Sequence, residues 1–195
     1  MNELLFKYAF IGDSGVGKTT LLYRLKYGEY KNAGPTIGID HYFLQLTANN
    51  RPVKIHIWDT AGQERFRSIT NHFYKNTNVL FIIFDLTNIE SFNNVDYWLN
   101  DAMNHNTNNA LIVLIGTKSD LESLVSVSKE VIEKCVSKNG IMYYETNAMT
   151  DHIQYIITDV TSSVVKSSEV DNTSTSNNII LQEDKHKNLK KYCCN

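Results

Sequence analysis

Two uninterrupted apolar runs, at residues 79–84 and 111–115, constrain the fold more than any other feature of this chain. A strand that is apolar at every position is typical of a parallel sheet covered on both faces. The segment between the two runs carries apolar residues at helical spacing, namely Phe92, Val95, Trp98, Leu99 and Met103. Strands that alternate with helices predict an α/β fold, in which a doubly wound, mostly parallel sheet has helices on both faces.

The remaining segments continue this alternation. Residues 4–11 predict a buried first strand, and the alternating residues 53–57 predict a half-buried strand. Helices are expected at about 128–138 and 150–166, with a short strand at 141–145 between them. In a sheet of this type, ligands are expected beyond the carboxyl ends of the strands.

The composition changes near the end of the chain. The length of 195 residues fits one domain with a tail, and we assign residues 1–166 to the folded domain. Residues 167–195 are rich in Ser, Thr, Asn and Lys and show no sustained periodicity. This composition predicts a flexible, hypervariable tail.

Charge and cysteine usage narrow the classes of function. A formal net charge of −2 argues against general nucleic-acid binding, which needs a basic face. No apolar run approaches the roughly 20 residues that span a bilayer, and the N-terminal segment lacks the basic region of a signal peptide. The three cysteines cannot form a disulfide framework. We therefore expect a cytosolic domain.

Residues 12–19, with the sequence GDSGVGKT, fit the phosphate-binding pattern G-x-x-x-x-G-K-[ST]. They lie between the predicted first strand and a helix that is predicted by the spacing of Leu21, Leu22 and Leu25. The glycines let backbone N–H groups converge on phosphate oxygens, and the helix N-terminus adds its dipole. Lys18 can reach the β- and γ-phosphates, while the Thr19 hydroxyl can bind Mg²⁺. The alternative is a tight glycine turn. The motif alone is shared by ATPases, nucleoside monophosphate kinases and GTPases.

Asp59 follows the strand that contains residues 53–57. Its carboxylate is therefore expected at the carboxyl edge of the sheet, where a Walker B aspartate holds Mg²⁺, usually through water. Residues 60–66 continue directly from it with the sequence TAGQERF.

Residues 59–66, DTAGQERF, resemble the switch II segment of Rab proteins. Residues 36–40 resemble the Rab switch I motif, and residues 65–70 and 84–87 also look like Rab-type segments. On these motifs the chain is similar to a small GTPase of the Ras superfamily, closest to the Rab family, over residues 4–166 and at its last residues. The resemblance implies a P-loop NTPase fold, GTP or GDP as ligand and Mg²⁺ as cofactor.

The resemblance also implies roles for individual residues in hydrolysis. Thr36 would contact Mg²⁺ only in the GTP state, the Gly62 N–H would contact the γ-phosphate, and Gln63 would orient the attacking water. The expected metal ligands are therefore Thr19, Thr36 and Asp59. The expected catalytic residues are Lys18 and Gln63.

Base recognition is expected in residues 117–120 and 147–149, by the same resemblance. The Asp120 carboxylate would accept from guanine N1–H and its exocyclic amine, Lys118 would pack along the base, and the Ala148 N–H would meet guanine O6. Tyr30 would lean on the guanine with its ring edge. The full expected set of nucleotide contacts is Asp13, Ser14, Gly15, Val16, Gly17, Lys18, Thr19, Thr20, Tyr30, Thr36, Gly62, Thr117, Lys118, Asp120, Asn147, Ala148 and Met149.

Four departures separate the chain from the Rab pattern. Thr117 replaces the usual asparagine and Met149 replaces the usual lysine, which together resemble the base pocket of Rho proteins. The segment from Lys18 to Thr36 is one residue shorter than usual, with the missing residue after Tyr30. His41 replaces the phenylalanine of the Rab aromatic trio, which leaves Trp58 and Phe73 as its partners. The last change affects the expected choice of effector.

Near its end the chain carries a cysteine pair, Cys193 and Cys194, that resembles the double geranylgeranylation site of Rab proteins. A C-a-a-X box is absent because Tyr192 stands where its cysteine belongs. Two lipid chains are what stable anchoring to a membrane requires. The alternative is a pair of unmodified thiols on a loose tail.

These features predict a monomeric switch that hydrolyses GTP slowly to GDP and phosphate and regulates vesicle trafficking. The partners implied are a GTPase-activating protein, a guanine-nucleotide exchange factor, effectors and a prenyl-chain chaperone of the GDI type. The prenylated C-terminus would place the protein on the cytoplasmic face of intracellular membranes, from which it would cycle with the cytosol. Two alternatives are a GTP-bound scaffold with little hydrolysis, and a P-loop ATPase or nucleotide kinase.

Overall fold

The computed structural model describes residues 3–31, 39–60, 74–105 and 109–174 of the chain. Six strands and five α-helices occur in this part of the chain: β1 (Leu4–Ile11), α1 (Lys18–Tyr27), β2 (Ile39–Ala48), β3 (Arg51–Thr60), β4 (Val79–Asp85), α2 (Ile89–Asn93), α3 (Val95–His105), β5 (Leu111–Thr117), α4 (Lys129–Asn139), β6 (Met142–Glu145) and α5 (His152–Ser174). A single 3₁₀ turn, Glu122–Leu124, lies between β5 and α4. None of the helices described is long and apolar enough to cross a bilayer.

The strands form one six-stranded sheet in the order β2-β3-β1-β4-β5-β6. Only the β2–β3 pair is antiparallel, and the other four pairs are parallel. The sheet separates two apolar cores, one packed against α1 and α5 and the other packed against α2, α3 and α4. The predicted α/β class, with helices on both faces of a mostly parallel sheet, is therefore confirmed.

The central strand β4 contains the apolar run at residues 79–84 and is covered on both faces. All seven of its residues are buried, because β1 and β5 flank it and helices cover both faces. Its carboxyl end adjoins the turn that follows β1, where a side chain at Gly12 would meet the backbone of Ile83. The core strands thus hold the phosphate motif directly against the sheet.

Three elements differ from the sequence-based expectations. Strand β2 was not predicted, because at the edge of the sheet it buries only one face and alternates between half-buried and exposed residues. The expected helical stripe is split at Asn94 into α2 and α3, and Met103 is 51% exposed rather than part of the core. Helix α5 ends at Ser174, eight residues beyond the expected end at 166.

The extension of α5 contains two serines whose side chains bond to the backbone of the helix itself. Ser167 and Ser168 donate their hydroxyls to the carbonyls of Val164 and Val165, 2.9 and 2.8 Å away. These bonds accommodate the serine hydroxyls within the helix, and no contact of the described residues explains why the helix continues past 166. The first eight residues of the predicted flexible tail, 167–174, are therefore helical.

Candidate functional site

The phosphate motif forms the turn between β1 and α1. Three of its glycines have positive φ angles, 137° at Gly12, 79° at Gly15 and 100° at Gly17. A Cβ atom added at Gly12 would lie 2.2 Å from the Ile83 carbonyl oxygen, which is closer than any real side chain approaches. The loop can therefore adopt this path only with glycine at position 12.

Helix α1 begins immediately after this loop, at Lys18. Within the residues described, its N-cap Gly17 provides no side-chain cap, and its first turn contains no acidic residue. The first amides of a helix have no partner within the helix, and together with the dipole they attract an anion. This helix end is thus suited to bind phosphate oxygens.

Lys18 lies under the loop with only 5% of its surface exposed. Its Nζ donates to the carbonyl oxygens of Gly12 and Asp13, at 2.8 and 2.6 Å. Burial lowers the pKa of Lys18 to about 8, although the charges of Asp59 and Asp13 act in the opposite direction. A phosphate group beside this ammonium would supply further negative charge and so favour its protonated form.

The Thr19 hydroxyl donates to Asp59 Oδ2 over 2.5 Å, which joins the start of α1 to the end of β3. Asp59 is 3% exposed. A hydroxyl and a carboxylate are hard oxygen ligands of the kind that Mg²⁺ prefers. The two predicted metal ligands that the structure describes are thus brought together, and their chemistry fits Mg²⁺.

The side chain of Asp13 points toward the start of α3. Asn94 Nδ2 donates to Asp13 Oδ2 over 2.7 Å, and Trp98 Nε1 donates to Asp13 Oδ1 over 2.9 Å. Sequence reasoning assigned Trp98 to the core and did not single out Asn94. No local signal could reveal these contacts, because 81 and 85 residues separate the partners.

Thr117, at the end of β5, contacts the phosphate loop. Its buried hydroxyl lies 2.6 Å from the Val16 carbonyl oxygen and 3.0 Å from that of Phe84, and it donates toward both. The hydroxyl thereby ties the phosphate loop to the carboxyl end of β4. The side-chain amide expected at this position is lost, but this hydroxyl provides a link across the same edge of the sheet.

Lys118 begins the loop after β5 with a positive φ of 59°. Its Nζ forms an ion pair with Asp85 Oδ2 at 2.5 Å, while Asp85 Oδ1 accepts from the backbone and hydroxyl of Thr87. The carboxylate at the end of β4 thus fixes the lysine stem. Asp120, two residues further on, is exposed.

The second expected base loop lies beside the first. Asn147 Nδ2 donates to Ser119 Oγ over 3.2 Å, and the Ser119 backbone N–H donates to the Thr146 carbonyl over 3.3 Å. Asn147 Oδ1 in turn accepts from the Met149 N–H over 3.0 Å. The Met149 side chain is 57% exposed. Residues 117–120 and 147–149 therefore form one polar rim beyond β5 and β6.

The other predicted nucleotide contacts in the described part of the chain have simpler surroundings. Ser14 and Gly15 are exposed at the turn of the phosphate loop, Val16 is buried, and Thr20 is half-buried on α1. Tyr30 follows α1 and is half exposed. The expected roles of Thr36, Gly62, Gln63, Phe73, Cys193 and Cys194 stay predictions, because these residues lie outside the described residues.

An aromatic cluster covers one face of the β2–β3 hairpin. The rings of His41 and Trp58 stack at 5.3 Å between centroids, and those of Phe43 and His56 stack at 4.3 Å. Burial lowers the pKa of His56, helped by the nearby His41, Lys7 and Lys54. The structure therefore brings His41 and Trp58 together as expected and adds Phe43 and His56, which the sequence analysis did not identify.

A glycine-rich loop after a central parallel strand, a buried lysine, and a paired threonine and aspartate define the class of P-loop nucleotide-binding proteins. The model of the Ras family matches residues 7–167, and the chain belongs to this family. It is thus a GTP-binding switch GTPase, and guanine nucleotide and Mg²⁺ are the ligands typical of its relatives. GTPase-activating proteins and exchange factors are the typical regulators of such switches.

Proposed function

We propose that this protein is a Rab-like switch, which hydrolyses GTP to GDP and phosphate and regulates vesicle trafficking. The observation that carries the hydrolytic part is the meeting of Lys18, Thr19 and Asp59 at the start of α1. These groups provide one cation for the phosphates and two oxygen ligands for a divalent metal ion. The trafficking part rests on the sequence of the switch segments and of the chain end.

Hydrolysis requires that charge developing on the phosphates be neutralised and that a water be aligned. Lys18 supplies a buried ammonium held by two carbonyls, so it has little freedom to move away from the phosphates. Thr19 and Asp59, with Thr36, would hold Mg²⁺, which when bound neutralises phosphate charge. Gln63 would orient the water, and Gly62 would donate its N–H to the γ-phosphate.

Selection of guanine would take place at the rim formed by residues 117–120 and 147–149. The Asp120 carboxylate is exposed and can accept two hydrogen bonds from a guanine edge, a pattern that adenine does not offer. The ion pair with Asp85 holds the Lys118 stem in place for packing along the base. The Asn147–Ser119 hydrogen bond keeps the Ala148 backbone near the same edge.

Intrinsic hydrolysis should be slow, as it is in switches whose catalytic arginine is supplied by an activating protein. A GTPase-activating protein should accelerate it by roughly 10³–10⁵. An exchange factor would reload the switch, and effectors would bind the GTP form through the surface around His41 and Trp58. Phe43 and His56 extend this surface with further ring area.

The chain end supports a membrane role for this switch. Geranylgeranyl groups on Cys193 and Cys194 would anchor the protein on the cytoplasmic face of intracellular membranes. A GDI-type chaperone would return it to the cytosol by covering both lipids. Incubation of the full chain with a geranylgeranyl donor and a Rab prenylation extract should add two lipid groups by mass spectrometry. Addition of none, or an equal addition to the Cys193→Ser, Cys194→Ser variant, would contradict the anchor.

A GTP-bound scaffold with little hydrolysis remains the second candidate, since the segment between Tyr30 and Thr36 is shorter than in Rab proteins. Single-turnover reactions of GTP, with ATP as the control nucleotide, separate the two. We expect turnover of GTP alone that depends on Mg²⁺ and is slowed by Gln63→Leu. Tight GTP binding without turnover would favour the scaffold, and equal turnover of ATP would contradict both candidates.

A further inference from the structure

Asp13 carries a negative charge inside a loop that otherwise attracts anions. Its carbonyl oxygen accepts from Lys18 Nζ at 2.6 Å, so the residue lies next to the cation of the phosphate site. A carboxylate at this position could pair with the Lys18 ammonium in place of a phosphate group.

Both oxygens of this carboxylate accept hydrogen bonds from the segment where α2 ends and α3 begins. Trp98 Nε1 and Asn94 Nδ2 each donate to a different oxygen, over 2.9 and 2.7 Å. Donors that point at a charged acceptor form hydrogen bonds roughly twice as strong as neutral pairs. The two bonds together fix the direction of the carboxylate as well as its position.

The two donors lie four residues apart, where α2 ends and α3 begins. Asn94 follows the last residue of α2, and its carbonyl accepts from the Trp98 N–H over 3.1 Å, as an N-cap of α3 does. The Trp98 side chain is buried in the core beneath α3. The indole donor therefore keeps its direction without any contribution from the nucleotide.

We propose that Asn94 and Trp98 are positioning residues, which hold the Asp13 carboxylate away from Lys18 so that phosphate can pair with the ammonium. This inference rests on the proposed binding of guanine nucleotide at the phosphate loop. Without the two donors, the Asp13 carboxylate forms an internal ion pair with Lys18. The fraction of molecules competent to bind phosphate then falls, and the apparent affinity falls by the same factor.

Dissociation of a fluorescent GDP analogue, labelled with a methylanthraniloyl group, measures this effect on the full chain in Mg²⁺. The combined change Asn94→Ala, Trp98→Phe should accelerate dissociation about tenfold, which corresponds to about 1.4 kcal/mol. In the Asp13→Asn background, which lacks the competing charge, the same pair of changes should alter the rate less than about twofold. The difference between the two backgrounds measures the coupling between the two donors and the Asp13 charge, as in a double-mutant cycle.

Two controls separate positioning from general damage. Phe92→Leu removes volume from the same core as Trp98, and Asn93→Ala alters the exposed neighbour of Asn94. Neither residue is part of the site, and neither change should alter the dissociation rate. Because Trp98→Phe also lowers stability, Asn94→Ala alone provides a second test and should accelerate dissociation about threefold only when Asp13 is present.

The result that overturns the proposal is equal acceleration in the two backgrounds, since a merely structural role does not depend on the charge of Asp13. Absence of acceleration in the Asp13 background also overturns it. Failure of the proposed function looks different, because the unaltered chain would then fail to bind the GDP analogue or to hydrolyse GTP.

Discussion

At the scale of single residues, the site depends on polar contacts made in buried surroundings. The Thr117 hydroxyl, in a side chain only 2% exposed, joins the phosphate loop to β4 through the carbonyls of Val16 and Phe84. A buried carbonyl that loses its donor bears the cost of its own desolvation, about 1–3 kcal/mol. Thr117 is therefore expected to affect nucleotide binding through the position of the phosphate loop, whether or not it contacts the nucleotide.

Replacement of Thr117 by valine keeps the shape and removes the donor. We expect Thr117→Val to lower the free energy of unfolding by about 1–3 kcal/mol and to speed GDP dissociation several-fold, because the loop loses its tether. Urea unfolding and nucleotide exchange measure the two effects. Thr117→Ser retains the hydroxyl and should stay close to the unaltered protein; equal effects of the two variants would contradict the tether.

Lys18 gives a pH dependence whose sign follows from its lowered pKa of about 8, compared with 10.5 in the unfolded chain. Between these values the unfolded chain binds more protons than the folded one, so stability rises with pH. For the nucleotide-free protein we expect a gain of up to about 1.4 kcal/mol per pH unit between pH 8 and 10.5. Urea unfolding across this range should show the slope, and Lys18→Met should remove it. An unchanged slope in that variant would refute the assignment.

The residues of the site divide clearly by how far apart their partners lie in sequence. Lys18 and Thr19 could be predicted because the phosphate motif is contiguous, and Asp59 because it ends a recognisable strand. The contacts of Asp13 with Asn94 and of Thr117 with Val16 join residues 81 and 101 positions apart. Such contacts exist only after the sheet has assembled, so periodicity and spacing could not predict them.

At the scale of elements, the turn from β1 to α1 is fixed by the strand beside it. The loop passes so close to β4 that Gly12 has no room for a side chain. Strands and helices buried on a full face could be predicted from the sequence, as β4 and β5 show. The edge strand β2 and the break between α2 and α3 could not, because an exposed face weakens the apolar pattern and a single Asn94 divides one helical stripe.

Gly12→Ala tests this close approach. The added methyl group would clash with the Ile83 carbonyl and displace the loop, so we expect GDP binding to be lost and unfolding to occur at lower denaturant concentration. Equilibrium binding and urea titration measure the outcome. Gly28→Ala is the matched control, because Gly28 also has a positive φ, 69°, but open space around it. It should cost only about 1 kcal/mol and leave binding intact, and equal loss in both variants would contradict the steric argument.

At the scale of the whole molecule, helix α5 completes the core on one face of the sheet. Val160 and Val165 are fully buried, and Thr161 shares a hydrogen bond of 2.8 Å with the Tyr8 hydroxyl of β1. At the far end of the β2–β3 hairpin, Asn49 donates to the Ser162 carbonyl over 2.9 Å. The last helix therefore holds both the centre and the edge of the sheet.

Truncation of the chain within and after α5 tests how much of this helix stable folding requires. A chain that ends at residue 174 retains every buried residue of α5, so we expect its melting temperature to stay within about 2 °C of the full chain. A chain that ends at residue 159 loses Val160, Thr161 and Val165 and should not unfold cooperatively. Circular dichroism during heating measures both. A cooperative transition in the shorter chain would show that the last turns are dispensable.

The order of the strands also sets the distance between the two ends of the site. The phosphate loop follows β1, and the two loops proposed to bind the base follow β5 and β6, two and three places along the sheet. At about 4.8 Å per strand, the two ends of the site lie roughly 10–14 Å apart. A nucleotide that spans this distance is a bivalent ligand, whose second end binds at a high effective concentration once the first is held. Free guanine and free pyrophosphate should therefore each bind far more weakly than the molecule that joins them.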